Sequence, residues 1–86
     1  MTMIPTDPEM MLRRRDTARA LNEAGYPVTE ATLATKATRG GGPPYHLFGR
    51  VPLYRWADAL AWAQSRLRPP ISSTAELDRL VKENRR

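Results

Sequence analysis

The sequence predicts a small, mainly α-helical fold that contains one short β-hairpin. Three observations support this expectation. Several segments space their apolar residues for one helix face, two short strand-like segments flank a Gly-Arg pair, and Gly or Pro residues separate the segments from one another. With 86 residues, the chain is long enough for one small domain whose hydrophobic core is thin.

The first eleven residues have a composition that is unusual for a regular element. Residues 1–11 are rich in Met and Pro and show no helix or strand period. We therefore expect a loosely packed, flexible lead-in. The organised part of the chain is expected to begin at Leu12.

The next two segments predict two helices joined by a short turn. Residues 14–24 place Thr17, Ala18 and Leu21 on a narrow apolar stripe, and Gly25 follows as a stop in left-handed conformation. Residues 29–38 open on Thr29, a good N-cap, and contain one large apolar residue, Leu33. A helix, a short Gly-containing turn and a second helix form the helix-turn-helix pattern.

A β-hairpin is predicted after the Gly/Pro break at 40–44. Residues 45–48 and 51–54 flank Gly49-Arg50, and Gly in the first turn position is typical of a type II′ turn. Pro52 cannot donate a ladder hydrogen bond, so the second strand is expected either to be an edge strand or to direct that position outward. The aromatic residues Tyr45, Phe48 and Tyr54 are expected to pack in the core or on the hairpin.

Two further helices are predicted towards the C-terminus. Residues 56–67 place Trp56, Leu60, Ala63 and Leu67 on one face, and Pro69-Pro70 ends the segment. Residues 73–76 form a capping box that opens an extra C-terminal helix over 74–84.

Residue types argue against catalysis and against metal binding. The chain has no Cys and a single histidine, His46, which sits on a predicted strand without a nearby acid. The Gly triplet at 40–42 is not followed by Lys-Ser/Thr, so it does not match a phosphate-binding loop. We therefore expect no enzyme, no cofactor, no metal and no small-molecule substrate. No run of apolar residues is long enough to span a membrane, and the expected location is cytoplasmic.

The charge balance favours a polyanionic partner. Fourteen Lys and Arg residues against nine Asp and Glu give a net charge of +5, and twelve of the fourteen cations are Arg. The Arg guanidinium is a planar fork that suits phosphate groups and guanine edges. Nucleic acid is therefore the first candidate partner, ahead of an anionic membrane.

The second helix has a surface that suits a DNA groove. Short hydroxylated side chains lower helix propensity but let a helix approach a groove closely, and Thr32, Thr35, Lys36 and Arg39 are expected to share its outer face. The alternative is that these threonines are merely tolerated. Likewise, the Arg run at 13–15 is either a solvated helix start or a set of phosphate contacts, because cations near a helix N-terminus oppose its dipole.

The segment from Gly42 to Trp62 resembles a known family. It contains Gly-Pro-Pro-Tyr at 42–45, Gly-Arg at 49–50, Tyr-Arg at 54–55, Asp58 and Ala-Trp at 61–62. In order and spacing this pattern is similar to the wing and following helix of excisionase-like and AlpA-like regulators, small winged helix-turn-helix proteins related to the MerR DNA-binding domain. Upstream, residues 12–21 are similar to the first helix of the same family.

The resemblance implies a winged helix-turn-helix domain over 12–68, followed by a Pro-Pro linker and helix over 69–86. It implies sequence-specific binding of double-stranded DNA, as an excisionase-type architectural factor or a small transcriptional regulator of a phage or mobile element. Because a single module of this size predicts modest affinity, binding as a homodimer or cooperative array is expected. The candidate DNA-binding residues are Arg13, Arg14, Arg15, Thr29, Thr32, Thr35, Lys36, Arg39, Arg50 and Arg55.

Two other functions remain open at the level of sequence. Leu77, Leu80 and Val81 on the C-terminal helix could dock a partner, in which case the chain would be a protein-interaction module. A small DNA-packaging subunit of the terminase type, with a similar wing, is the other alternative.

Overall fold

Three helices and a three-stranded antiparallel sheet make up the computed structural model, which describes residues 3–75. In chain order the elements are β1 (Met11–Arg13), α1 (Arg14–Glu23), α2 (Glu30–Arg39), β2 (His46–Phe48), β3 (Val51–Arg55) and α3 (Trp56–Ser65). The mainly helical prediction with a hairpin is confirmed, and β1 is an additional strand. Apart from its start, the C-terminal helix predicted for 74–84, with Leu77, Leu80 and Val81, lies outside the described residues.

The three helices lie within two residues of their predicted bounds because local signals set their ends. The Thr29 hydroxyl accepts the backbone N–H of Thr32 at 3.0 Å and so caps α2. At the end of α1, Gly25 has a φ of 101°, and the next N–H, from Tyr26, donates to the Leu21 carbonyl at 2.8 Å. This 6→1 hydrogen bond is the Schellman closure that favours Gly at that position.

The turn between α1 and α2 is stabilised by the side-chain amide of Asn22. The Asn22 side chain donates to the carbonyl of Ala18 at 2.7 Å and to that of Val28 at 2.6 Å. The side chain thus connects the last turn of α1 to the residue just before the Thr29 cap. The direction in which α2 leaves the turn is therefore fixed by specific hydrogen bonds.

The sheet has the order β1-β3-β2, so β3 is its central strand. Val51 pairs with Phe48 across a two-residue loop, and Gly49 has a φ of 66° while Arg50 is not left-handed, as a type II′ turn requires. The edge-strand interpretation of Pro52 is wrong. Pro52 instead lies opposite Leu47 and one residue beyond the β1 pairing, where β3 has no β1 neighbour to receive a hydrogen bond.

The lead-in is more tightly held than predicted for residues 1–11. Met11 belongs to β1 and pairs with Arg55. The first two N–H groups of α3 donate back to the lead-in, from Trp56 to the Met10 carbonyl and from Ala57 to the Pro8 carbonyl, both at 2.9 Å. These N–H groups have no partner inside a helix, so the lead-in satisfies the start of α3.

The core lies between the helices and the inner face of the sheet. Its fully buried side chains include Leu21, Leu33 and Tyr54, and the α3 residues Trp56 and Ala59 are also buried. Two packing predictions are wrong. Leu67 is 65% exposed because α3 ends before it, and Phe48 is 76% exposed on the hairpin rather than packed against it.

Candidate nucleic-acid interface

One cleft brings together the start of α1, the start of α2 and the end of the hairpin next to its turn. We call it the arginine cleft and define it by the residues that line it: Arg13, Arg14, Arg15, Asp16, Arg19, Glu30, Val51 and Pro52. Four of these eight residues are cations and two are acids. The lining of the cleft therefore carries a net positive charge, which comes from β1 and α1.

Arg14 has a structural contact that the sequence did not reveal. Its Nε donates to the Tyr54 hydroxyl at 2.9 Å, and its guanidinium carbon lies 5.8 Å from the Tyr54 ring centroid and 5.9 Å from that of Tyr45. The two rings are themselves in contact, with centroids 5.6 Å apart. Arg14 thus holds α1 against β3, so within the Arg run at 13–15 it is the residue that has a partner inside the fold.

Three other arginines of the cleft present their charge to solvent. Arg13, Arg15 and Arg19 are exposed. Arg15 approaches Glu30 at 3.8 Å, but both side chains are more than half exposed, and such an ion pair contributes little to stability. Arg19 was not among the predicted site residues. Its position four residues after Arg15, one helix turn away on the same face, is the signal that could have identified it.

The outward face of α2 is rotated from the predicted one. Thr32, Thr35 and Arg39 are exposed, but Lys36 is half-buried. The Thr29 and Thr32 hydroxyls are 2.9 Å apart and hydrogen-bonded to one another at the N-cap. Within the part of the chain that the structure describes, no hydrogen bond is made by the Thr35 hydroxyl, which makes it the hydroxyl of α2 best suited to an external partner.

A helical repeat of 100° per residue places Ala31, Thr35, Thr38 and Arg39 around the exposed direction of α2, opposite the buried Leu33. Ala31 was missed at the sequence level because a small residue carries no polar signal. The resulting face is smooth, with one long cationic side chain at its C-terminal end.

Lys36 is half-buried, and Gly42 packs against it. A Cβ built on Gly42 would lie 2.8 Å from the Lys36 Cβ, so the loop passes directly over the stem of the lysine. The same loop is held to α3, because the indole N–H of Trp62 donates to the Gly41 carbonyl at 2.9 Å. The loop at 40–42 is therefore a packed connection between α2 and α3.

Gly42→Ala should destabilise the fold, because the new methyl group would overlap the Lys36 Cβ and the backbone would have to move. We expect the free energy of unfolding to fall by about 1–3 kcal/mol, the usual cost of overpacking. Chemical denaturation of the two proteins measures it. The double variant Gly42→Ala with Lys36→Gly, which removes the opposing Cβ, is the control. An equal loss in both backgrounds would contradict this steric explanation.

Arg50 and Arg55, the two predicted cations of the hairpin, have different surroundings. Arg50 is exposed at the tip, next to the Val51 that borders the arginine cleft. Arg55 instead forms ion pairs with Glu9 and with Asp58, the latter at 2.9 Å. The hydrogen bond to Glu9 is the largest cause that raises the pKa of Arg55, against an opposing effect of desolvation.

Arg55 therefore joins the lead-in, the sheet and the first turn of α3. Two carboxylates already partly neutralise its charge, so it is a poor candidate for a phosphate contact. His46, expected on a strand, is exposed in β2.

Residues 3–75 contain no group of three or more His, Cys, Asp or Glu side chains arranged to hold a metal ion. Among those same residues, no helix has the length and apolar character that crossing a bilayer requires. These observations bear on the described part of the chain alone. No protein-family model, no curated protein and no solved structure matches this chain.

Proposed function

We propose that this chain is a winged helix-turn-helix domain that binds double-stranded DNA without catalysing a reaction. The observation that carries the proposal is the arginine cleft, which is bordered by Glu30 at the start of α2 and by Val51 and Pro52 next to the hairpin turn. In this architecture α2 is the recognition helix and the hairpin, residues 46–55, is the wing.

The face of α2 supports the groove assignment by its shape. Ala31, Thr35 and Thr38 are short, so the helix axis can approach base edges closely, and Ala and Thr methyl groups make apolar contacts with thymine. Arg39, at the end of the helix, is long enough to reach a guanine edge or a phosphate. Thr35 and Arg39 are therefore the two residues of α2 that are best placed to contact bases.

The exposed cations support the phosphate assignment by their position. Arg13, Arg15 and Arg19 would contact the backbone beside the groove that α2 enters, and Arg50 would contact it from the wing. Phosphate contacts of this kind position a protein on the duplex but carry no sequence information. Specificity would then come from α2, and general affinity from the cleft and the wing tip.

A salt titration tests the proposal. Five exposed cations, Arg13, Arg15, Arg19, Arg39 and Arg50, predict that log K falls with log salt at a slope of about −4 to −5. The measurement is fluorescence anisotropy with a labelled random-sequence duplex pool, followed by selection and sequencing of the bound fraction. A flat slope would contradict the proposal and would favour the protein-interaction module.

The selected sequences would separate the remaining roles. Repeated or inverted half-sites at fixed spacing would favour a homodimer or a cooperative array, as expected for a regulator or an excisionase-type factor. The role in a phage or mobile element, and the alternative of a DNA-packaging subunit, stay predictions based on the family resemblance.

A further inference from the structure

The wing carries a large apolar side chain that the described part of the fold leaves exposed. Phe48 is 76% exposed and forms the last residue of β2, directly before the Gly49-Arg50 turn. In the sheet register it lies beside Val51, and Val51 borders the arginine cleft. An exposed aromatic ring therefore stands at the margin of the arginine cleft.

We propose that Phe48 is a wedge that enters the minor groove and partly unstacks one base step, while Arg50 contacts the groove or its phosphates. The inference rests on the proposed DNA-binding function and deepens it. Apolar side chains, Phe among them, are the groups that architectural proteins insert between base pairs from the minor groove.

The neighbours of Phe48 favour DNA over an apolar protein partner. Arg50 is two residues away, and Arg13 lies on the same face of the sheet. Arg13 pairs with Leu53 and Phe48 pairs with Val51, and because Leu53 and Val51 are two residues apart on β3, these side chains point to one face. A cation beside a hydrophobic group matches a ligand that presents phosphates outside and stacked base faces inside. Base–aromatic contact is also tolerant of sequence, because every base has a π-face.

Leu47 provides a matched comparison on the same strand. It is 65% exposed but lies on the opposite face of the sheet, paired with Pro52. Because neighbouring strand residues point to opposite faces, Phe48 and Leu47 cannot both lead into one groove in the same way. The wedge assignment therefore belongs to Phe48, and the Leu47→Ala variant is the control.

The test uses a duplex of about 30 base pairs in alternating thymine and adenine, which offers a flexible TpA step wherever the wing lands. Some adenines are replaced by 2-aminopurine, whose fluorescence rises on unstacking, and the two ends carry an energy-transfer pair that reports bending. Wild type should raise the fluorescence and bend the duplex by about 20° or more.

Phe48→Ala should abolish the fluorescence rise, reduce the bend and weaken binding about tenfold, within the range of base–aromatic contacts. Phe48→Trp and Leu47→Ala should behave as wild type. Circular dichroism should show that all three variants fold, since each replaced side chain is mostly exposed.

Three outcomes would overturn the wedge and leave the proposed function standing. One is binding by wild type with the expected salt slope but without unstacking, which removes this inference and leaves the proposed function intact. A second is equal unstacking by wild type and Phe48→Ala. A third is a dimer of wild type, seen by sedimentation, that Phe48→Ala dissociates without changing DNA binding, which would make this face a contact between two copies. Failure of wild type to bind any duplex would remove both the wedge and the proposed function.

Discussion

Leu33→Ala should produce the largest loss of stability of any single change in α2. Leu33 is the one residue of α2 that is buried, with no exposed surface. Replacing a buried Leu by Ala costs about 2–5 kcal/mol, since both transfer energy and packing are lost. The loss is a large fraction of the stability of a small domain, roughly 5–15 kcal/mol, so the thermal midpoint should fall by roughly 10–25 °C.

Leu67→Ala is the matched control for this change. It removes the same atoms from a side chain that is 65% exposed, and a surface substitution of this kind usually changes stability by about 0.5 kcal/mol or less. Thermal and urea denaturation of the three proteins give the comparison. Equal midpoints for Leu33→Ala and wild type would show that α2 does not depend on this side chain for its attachment.

The dependence on Leu33 follows from what α2 carries on its other faces. A helix that presents Thr, Ala and one Arg to the outside has few apolar groups left to bury. The anchoring is therefore concentrated in Leu33, the Thr29 cap and the glycine loop that covers Lys36. A helix held mainly by one side chain keeps most of its surface available for a ligand.

The sequence predicted the helices well because their signals are local. Gly25 and Thr29 act within a few residues of the positions that they define, and the turn type at Gly49 depends on the loop length alone. Strand β1 could not be predicted in the same way. It has three residues, too few to show a period, and its pairing with β3 depends on residues far away in the chain.

The sequence could not identify which candidate side chains have a distant partner within the fold. Arg14 is 40 residues from the Tyr54 hydroxyl that it contacts, and Arg55 meets Glu9 on a lead-in that was expected to be loose. Both residues are arginines on predicted surface positions, and nothing in their immediate neighbours distinguishes them from Arg15 or Arg19. The tertiary fold alone separates cations with an internal partner from cations that remain exposed.

Removing the three exposed arginines of the cleft should give the largest loss of binding. For the variant Arg13→Ala, Arg15→Ala, Arg19→Ala, we expect the slope of log K against log salt to become shallower by about 2.7, or 0.9 for each lost phosphate contact. At about 1 kcal/mol or more per charged hydrogen bond, duplex affinity should fall on the order of 10²–10³-fold. The readout is the same anisotropy titration at several salt concentrations.

The single variants Arg19→Ala and Arg68→Ala provide the matched control. Arg68 is an exposed arginine beyond the end of α3, outside the arginine cleft. We expect Arg19→Ala to change the slope by about 0.9 and Arg68→Ala to leave it unchanged. Identical changes for the two would mean that net charge, rather than the cleft, determines binding.

Stability distinguishes loss of a ligand contact from loss of the fold in the triple variant. Arg15 and Arg19 are like charges one turn apart on α1, and like-charge pairs at this spacing destabilise a helix by about 0.2–0.5 kcal/mol. Cations in the first turn also oppose the helix dipole. The triple variant should therefore unfold at the same temperature as wild type or slightly higher, while it binds DNA far more weakly. Under the proposed function, a bound polyanion would compensate a cluster of like charges that costs the fold stability. A triple variant that loses both stability and binding would contradict that expectation.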